Sequence, residues 1–145
     1  LVMNLGAFGC IFMMKRENVF YEKINDLSGL SKNQPILALS FLIILFSLAG
    51  IPPLAGFFAK FYIFMAVIEV KMYALAIIGL VTTVVSAFYY LRIIKVIYFD
   101  KPKEPFEKIY DWGLKISLVL SSILILIYFI YPSILTDAVS SIIIY

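Results

Sequence analysis

Between Pro35 and Ile68 the chain runs 34 residues with a single charge, Lys60. One straight α-helix of that length would be about 51 Å long, well beyond the roughly 30 Å hydrocarbon core of a bilayer. Its middle reads Gly50-Ile51-Pro52-Pro53. Each proline lacks a backbone donor, and each disfavours helical geometry at the residue before it. The helix must break there. Two arrangements follow: a hairpin that crosses twice, or one crossing by a broken helix. Each half holds only about 14–15 residues, short of the roughly 17 needed to span alone, which favours the single crossing.

The other apolar blocks set the class. Leu1 to Met14 carries no charge but is too short to span, so it reads as a truncated or interfacial span. Met72–Leu91 and Ile116–Leu135 are each 20 residues without charge. The expected spans are therefore 1–14 (truncated), 35–68 (broken), 72–96 and 113–136 (last). Hydrophobic residues make up 63% of the chain and charged residues 14%, against about 45–50% and about 25% in soluble domains. A soluble globular enzyme and a disordered tail are excluded. The expected fold class is an all-α polytopic membrane protein with one broken transmembrane helix. The chain opens inside what reads as a helix, with no signal peptide before it. The expectation is a carboxyl-terminal piece of a longer chain.

Charge placement addresses the parity of the broken block. If it crosses once, segments 15–34 and 92–115 share a side. Their basic residues are Lys15, Arg16, Lys23 and Lys32, then Arg92, Lys95, Lys101, Lys103, Lys108 and Lys115. The other side then holds only Lys71. That bias is what the positive-inside rule expects, with both basic segments cytoplasmic and Tyr145 outside. The net charge of +3 is spread between apolar runs and is no nucleic-acid signal. Segment 100–111, with Pro102 and Pro105, reads as a solvated connector or, less simply, a docking loop.

Lys60 is the main candidate for chemistry. Glu69 marks the end of its block nine residues on, about 13.5 Å of helix, which places Lys60 near mid-membrane. Full snorkelling from there is difficult. Ionisable groups at such depth are costly and usually line a polar cavity or ion path. Their surroundings set their proton affinity. The plainer reading is a lysine tilted against a partner helix. The break at Gly50, Pro52 and Pro53 supports the functional reading, because exposed backbone groups in a membrane are tolerated only beside protein or water. A simple proline kink is the alternative. On the third span Gly79, Thr82, Thr83 and Ser86 fall on one helical face, and Tyr90 continues it. These hydroxyls could hold a water chain near Lys60, or serve as ordinary helix contacts. The one cysteine, Cys10, excludes an internal disulfide, and no histidine is present. No metal site, phosphate loop or catalytic triad is legible.

These residues carry a family resemblance. Asn4-Leu5-Gly6-Ala7-Phe8-Gly9, Asp26-Leu27-Ser28-Gly29-Leu30, Pro35, the run from Ser47 through Gly50-Ile51-Pro52-Pro53 and Gly56-Phe57-Phe58-Ala59-Lys60 to Tyr62, and Ala87-Phe88-Tyr89-Tyr90-Leu91-Arg92 resemble the chain N family of proton-pumping NADH-quinone oxidoreductase, respiratory complex I. Its mitochondrial counterpart is subunit 2. The resemblance implies an antiporter-like helix bundle, of which this chain is a carboxyl-terminal fragment holding the broken helix of the second repeat. It implies that Lys60 is the proton-transfer lysine of the second half-channel; the reading of the residues themselves adds Gly50, Pro52, Pro53, Thr82, Thr83, Ser86 and Tyr90 as channel-lining candidates. It implies an enzyme role only as part of the oxidoreductase. This chain would hold no cofactor, with NADH, FMN, iron–sulfur clusters and quinone bound by partner chains. Partners would be other membrane subunits, sister antiporter-like chains among them, and the lipid bilayer, with no nucleic acid. The location would be the bacterial plasma membrane or the mitochondrial inner membrane. Two other functions share the pattern: a subunit of a cation/proton antiporter or membrane-bound hydrogenase, and a structural membrane scaffold.

Overall fold

The computed structural model describes residues 1–16, 19–20, 23–103 and 112–131. The end of the expected last span, 132–136, and residues 104–111 of the connector lie outside them. The described chain is all-helical apart from one minimal ladder. Helix α1 spans Val2–Phe12. Strands β1 (Lys15–Arg16) and β2 (Val19–Phe20) pair antiparallel, Lys15 opposite Phe20 and Arg16 opposite Val19. A 3₁₀ turn, Ile24–Leu27, leads to the short α2, Leu30–Asn33. Then come α3 (Pro35–Ala49), α4 (Ala55–Glu69), α5 (Tyr73–Phe99) and α6 (Trp112–Ile130).

Local chemistry explains the boundaries. Pro35 opens α3, where a missing N–H costs nothing. Gly50 closes it in the left-handed region, at φ 82° and ψ 32°, which only glycine adopts freely. The break holds Pro52 and Pro53, joined by a cis peptide bond. Helix α4 restarts after Leu54 and ends before Lys71, which turns at φ 59°. Helix α5 continues past the expected 96 to Phe99, because Val96 and Ile97 are buried and hold the last turns down. Asp100 then goes extended, and Pro102 follows.

Helix α3 sits at the centre, touched by α1, α4, α5 and α6. Its Leu37, Ala38, Phe41, Ile44 and Leu45 join Cys10 of α1, Ile94 and Ile97 of α5, and Leu118 and Ile125 of α6 in one core. Helix α1 fits closely between α3 and α6. A Cβ on Gly6 would lie 2.7 Å from Ile44 Cδ1 and 3.0 Å from Ser121 Cβ, the close approach that small residues permit between membrane helices. Among the described residues, only α5 is long and apolar enough to cross a membrane by itself.

One end of the bundle is knitted by polar contacts. Gly29 N–H donates to the Val96 carbonyl at 3.1 Å, and Lys103 N–H to the Ser28 carbonyl at 3.2 Å. Asn33 Nδ2 donates to the Lys103 carbonyl at 2.6 Å. Lys103 Nζ pairs with Asp26 at 3.3 Å. The polar segment before α3 therefore lies against the carboxyl end of α5. Lys95 forms a further ion pair with Asp100 beside it.

Candidate functional site at the helix break

An α-helix leaves its last four carbonyls without helical partners. At the end of α3 two of the four are satisfied by the turn itself. Ile51 N–H donates to Phe46 O at 3.1 Å, and Gly50 N–H to Ser47 O at 3.0 Å. This is the paired-bond Schellman ending, which needs a residue in the left-handed region at Gly50. The carbonyls of Leu48 and Ala49 are left over. Lys60 takes both: its Nζ donates to Leu48 O at 2.9 Å and to Ala49 O at 3.1 Å. The ammonium thus sits at the negative end of the α3 dipole, where a cation is stabilised.

Lys60 reaches that position because α4 starts beside the last turn of α3. Gly56 N–H, in the first turn of α4, donates to Ser47 Oγ at 3.0 Å. A Cβ on Gly56 would run into the Ser47 carbonyl, so the two backbones approach as closely as glycine permits. One turn on, the Lys60 stem lies over Gly50. A Cβ there would be 3.0 Å from Lys60 Cδ and 3.1 Å from Nζ. The contacts advance in the same sense along both helices, from Ser47–Gly56 to Leu48/Ala49–Lys60. In a hairpin, later residues of α4 would meet earlier residues of α3. Helix α4 is therefore a sidestepped continuation of α3.

The other sequence candidates are placed as follows. Gly50 shapes the α3 ending and contacts Lys60 directly. Pro52 and Pro53 are exposed in the break. Thr82 and Thr83 donate their hydroxyls to the Gly79 carbonyl at 2.8 and 2.9 Å, and Ser86 donates to Thr82 O at 2.9 Å. All three hydroxyl protons are committed to their own helix, which leaves their oxygens free to accept. Gly79 itself faces α4, where Phe64 comes within 2.9 Å of the position of a Cβ. Tyr90 is half-buried and packs on the core. Aromatic contacts flank Lys60 on α4: Phe57 stacks on Phe61 at 5.9 Å between ring centroids, and Phe58 meets Tyr128 of α6 edge-on at 5.7 Å.

The sequence reading did not single out Ser47, Leu48 or Ala49 as site residues. For Leu48 and Ala49 the active groups are main-chain oxygens, which residue identity does not announce. For Ser47 a signal existed: a hydroxyl residue three positions before the glycine that ends a helix.

The family model described as "NADH:quinone oxidoreductase/Mrp antiporter, TM" matches residues 1–86. The chain is similar to NADH-quinone oxidoreductase subunit N of Pelagibacter ubique, 66% identical over 98% of this chain and 30% of that protein. It is similar to the subunit of the same name in Parvibaculum lavamentivorans, 50% identical over 92% of this chain and 28% of that one. Among solved structures it resembles a chain of respiratory complex I from Thermus thermophilus with bound aureothin. The TM-score is 0.73 at 26% identity, over 90% of this chain and 31% of that chain. The chain thus spans about a third of the length of the curated relatives it matches.

Proposed function

The chain belongs to the membrane-subunit family shared by NADH:quinone oxidoreductases and Mrp antiporters, and from that membership we propose that it is part of a proton-translocating subunit of NADH-quinone oxidoreductase. On this reading Lys60 is its proton-transfer residue, and proton movement is driven by electron transfer from NADH to quinone. The relatives' shared name favours this over an antiporter or hydrogenase subunit.

The observation that carries the reading is the seat of Lys60 on the Leu48 and Ala49 carbonyls. An ammonium has three donors. Two are held by those oxygens, and the third has no partner among the described residues. The neutral amine that remains keeps two N–H groups and gains a lone pair where the third proton was. Lys60 can therefore unload and reload one proton without abandoning its seat. A charge change nearby would tip the balance between the loaded and unloaded forms.

The same reading has the α3–α4 pair cross the membrane once and α5 return. It is supported by the contacts of Asp26, Ser28, Gly29 and Asn33 with Val96 and Lys103 at one end of the bundle. Two crossings by α3–α4 would put those segments on opposite sides. Both basic segments then face the cytoplasm of a bacterial cell, with the chain in the plasma membrane. NADH, FMN, iron–sulfur clusters and quinone belong to partner chains, and sister antiporter-like subunits are neighbours.

Lys60→Met in the full-length parent chain, assembled in membrane vesicles, tests the reading. Met keeps the volume and removes the charge. NADH-driven quinone reduction and proton uptake are followed together. Both should fall by about tenfold, less than the roughly 100-fold that a single positioned proton-transfer group supplies, because sister chains keep their own paths. Parental rates of both in an assembled complex would make Lys60 a packing residue and leave the scaffold reading standing.

A further inference from the structure

Lys60 can hold the Leu48 and Ala49 carbonyls only if α4 begins at the right place and angle. Something must fix that start. Helix α4 buries no large side chain, and its one buried residue is Gly56. Leu54, which precedes it, makes no side-chain cap. The first turn of a helix has orphan N–H groups that need partners. Here Phe57 N–H bends back to Leu54 O at 3.0 Å. Gly56 N–H instead leaves its own helix and bonds to Ser47 Oγ.

Ser47 is fully buried on α3. Its hydroxyl has two partners from two other helices. The oxygen accepts from Gly56 N–H at 3.0 Å, and the hydroxyl proton is donated to Met3 Sδ of α1 at 2.9 Å. One side chain therefore ties together α1, α3 and α4 at the level of the break. It sits one residue before Leu48, whose carbonyl receives Lys60. On α4 its partner Gly56 is one helical turn before Lys60. Neither a packing serine nor a self-capped one would have this arrangement. A packing serine in a membrane helix usually bonds back to its own helix carbonyl, as Ser122 does to Leu118 here.

We propose that Ser47 is a positioning residue for Lys60: its hydroxyl, held on the Met3 thioether, fixes the start of α4 and so sets the distance from Lys60 to the carbonyls it must hold while exchanging its proton. The proposal rests on the proton-transfer reading of Lys60 and adds a second residue to that site. Ser47 itself takes no proton from the path. It acts only through where Lys60 sits.

The test is a double-variant cycle in the full-length parent chain within the assembled complex. Proton uptake is normalised to the amount of assembled complex on native gels. Ser47→Ala should lower normalised uptake by about fivefold, the fold-change that one lost hydrogen bond carries. Ser47→Thr keeps the hydroxyl at the cost of one added methyl in a packed site, and should lose less uptake than Ser47→Ala. Added to Lys60→Met, Ser47→Ala should lower uptake no further, because there is no lysine left to position. That non-additivity is the readout a merely structural serine would not give. An equal fold-loss in both backgrounds, or unchanged uptake in Ser47→Ala, overturns the proposal and leaves the Lys60 reading intact. Failure of Ser47→Ala to assemble, with Ser47→Thr equally absent, would make the site a packing requirement and also overturn it. If Lys60→Met alone pumps normally, the underlying proton-transfer reading fails, and the role given to Ser47 falls with it.

Discussion

Helices α3 and α4 each run 15 residues, and both are mostly apolar. Yet α3 buries Leu37, Ala38, Phe41, Ile44 and Leu45, while α4 buries Gly56 alone. The two halves of the broken helix differ in neighbours as well as in composition, since α4 alone carries charge, at Lys60 and Glu69. Helix α3 is wedged among three other long helices and is fixed along its length. Helix α4 touches the rest at separate points: Gly56 on Ser47, Lys60 on the α3 carbonyls, Phe58 on Tyr128 and Phe64 over Gly79. The first two of these are close backbone or polar contacts within its first two turns. The half with the ionisable group is thus the half held least by packing and most by its junction. On the reading proposed above, the proton-transfer group would lie on the helix half fixed at its first two turns. Beyond those contacts most of α4 is exposed among the described residues.

The largest expected effect comes from breaking the junction itself. Gly56→Ala places a Cβ against the Ser47 carbonyl, and neither main chain can yield without moving a helix. The full-length variant should lose most of its assembled complex, read as the amount recovered from membranes on a native gel. Parental amounts of assembled complex would mean that α3 and α4 do not approach this closely, and the contrast drawn above would lose its anchor.

A smaller effect separates the two halves along their lengths. Ile44 on α3 is fully buried, whereas Ile63 on α4 is 62% exposed. Truncating a buried isoleucine in an aqueous core costs about 2–5 kcal/mol. In a bilayer the transfer share shrinks, because lipid is as apolar as the core, and the cavity and lost contacts remain. Ile44→Ala should therefore clearly lower the thermal stability of the assembled complex, and Ile63→Ala should do so much less. An equal drop at Ile63 would sharpen the picture in a useful way. It would show that upstream helices or partner chains cover α4 as fully as this segment covers α3.

How far the sequence led can be judged at the same two helices. The break is legible: Gly50-Ile51-Pro52-Pro53 stops α3 at Ala49, and α4 restarts at Ala55. Lys60 is legible as the lone charge of its block. The hydroxyl stripe Thr82, Thr83 and Ser86 is legible as a face, but its hydrogen bonds run to its own helix. Periodicity gives the side of a helix and not the partner of a hydroxyl. The partners of Lys60 are not legible at all, because they are carbonyls freed by a turn, and any residue supplies a carbonyl. The Lys15–Phe20 ladder was also out of reach, since a two-residue pairing leaves no periodic trace. The reach of α5 to Phe99 depends on Val96 and Ile97 finding a core, which is a tertiary fact.

The smallest expected effect distinguishes two roles of one residue. Gly50 both adopts the left-handed conformation that ends α3 and leaves room for the Lys60 stem. Gly50→Ala disturbs both. The left-handed region costs an ordinary residue about 1–2 kcal/mol, and the added Cβ would crowd Lys60 Cδ at 3.0 Å. Gly50→Asn relieves the first penalty, since asparagine visits that region more readily, but keeps the second. If the crowding is what matters, both variants should reduce proton uptake per assembled complex, and only Gly50→Ala should also lower thermal stability appreciably. If Gly50→Asn pumps like the parent, the lysine stem has slack, and the α3 ending needs only a left-handed residue. The rigid anchor of α4 would then reduce to Gly56 and Ser47, and Lys60 would find its carbonyls from a looser starting point than the distances imply.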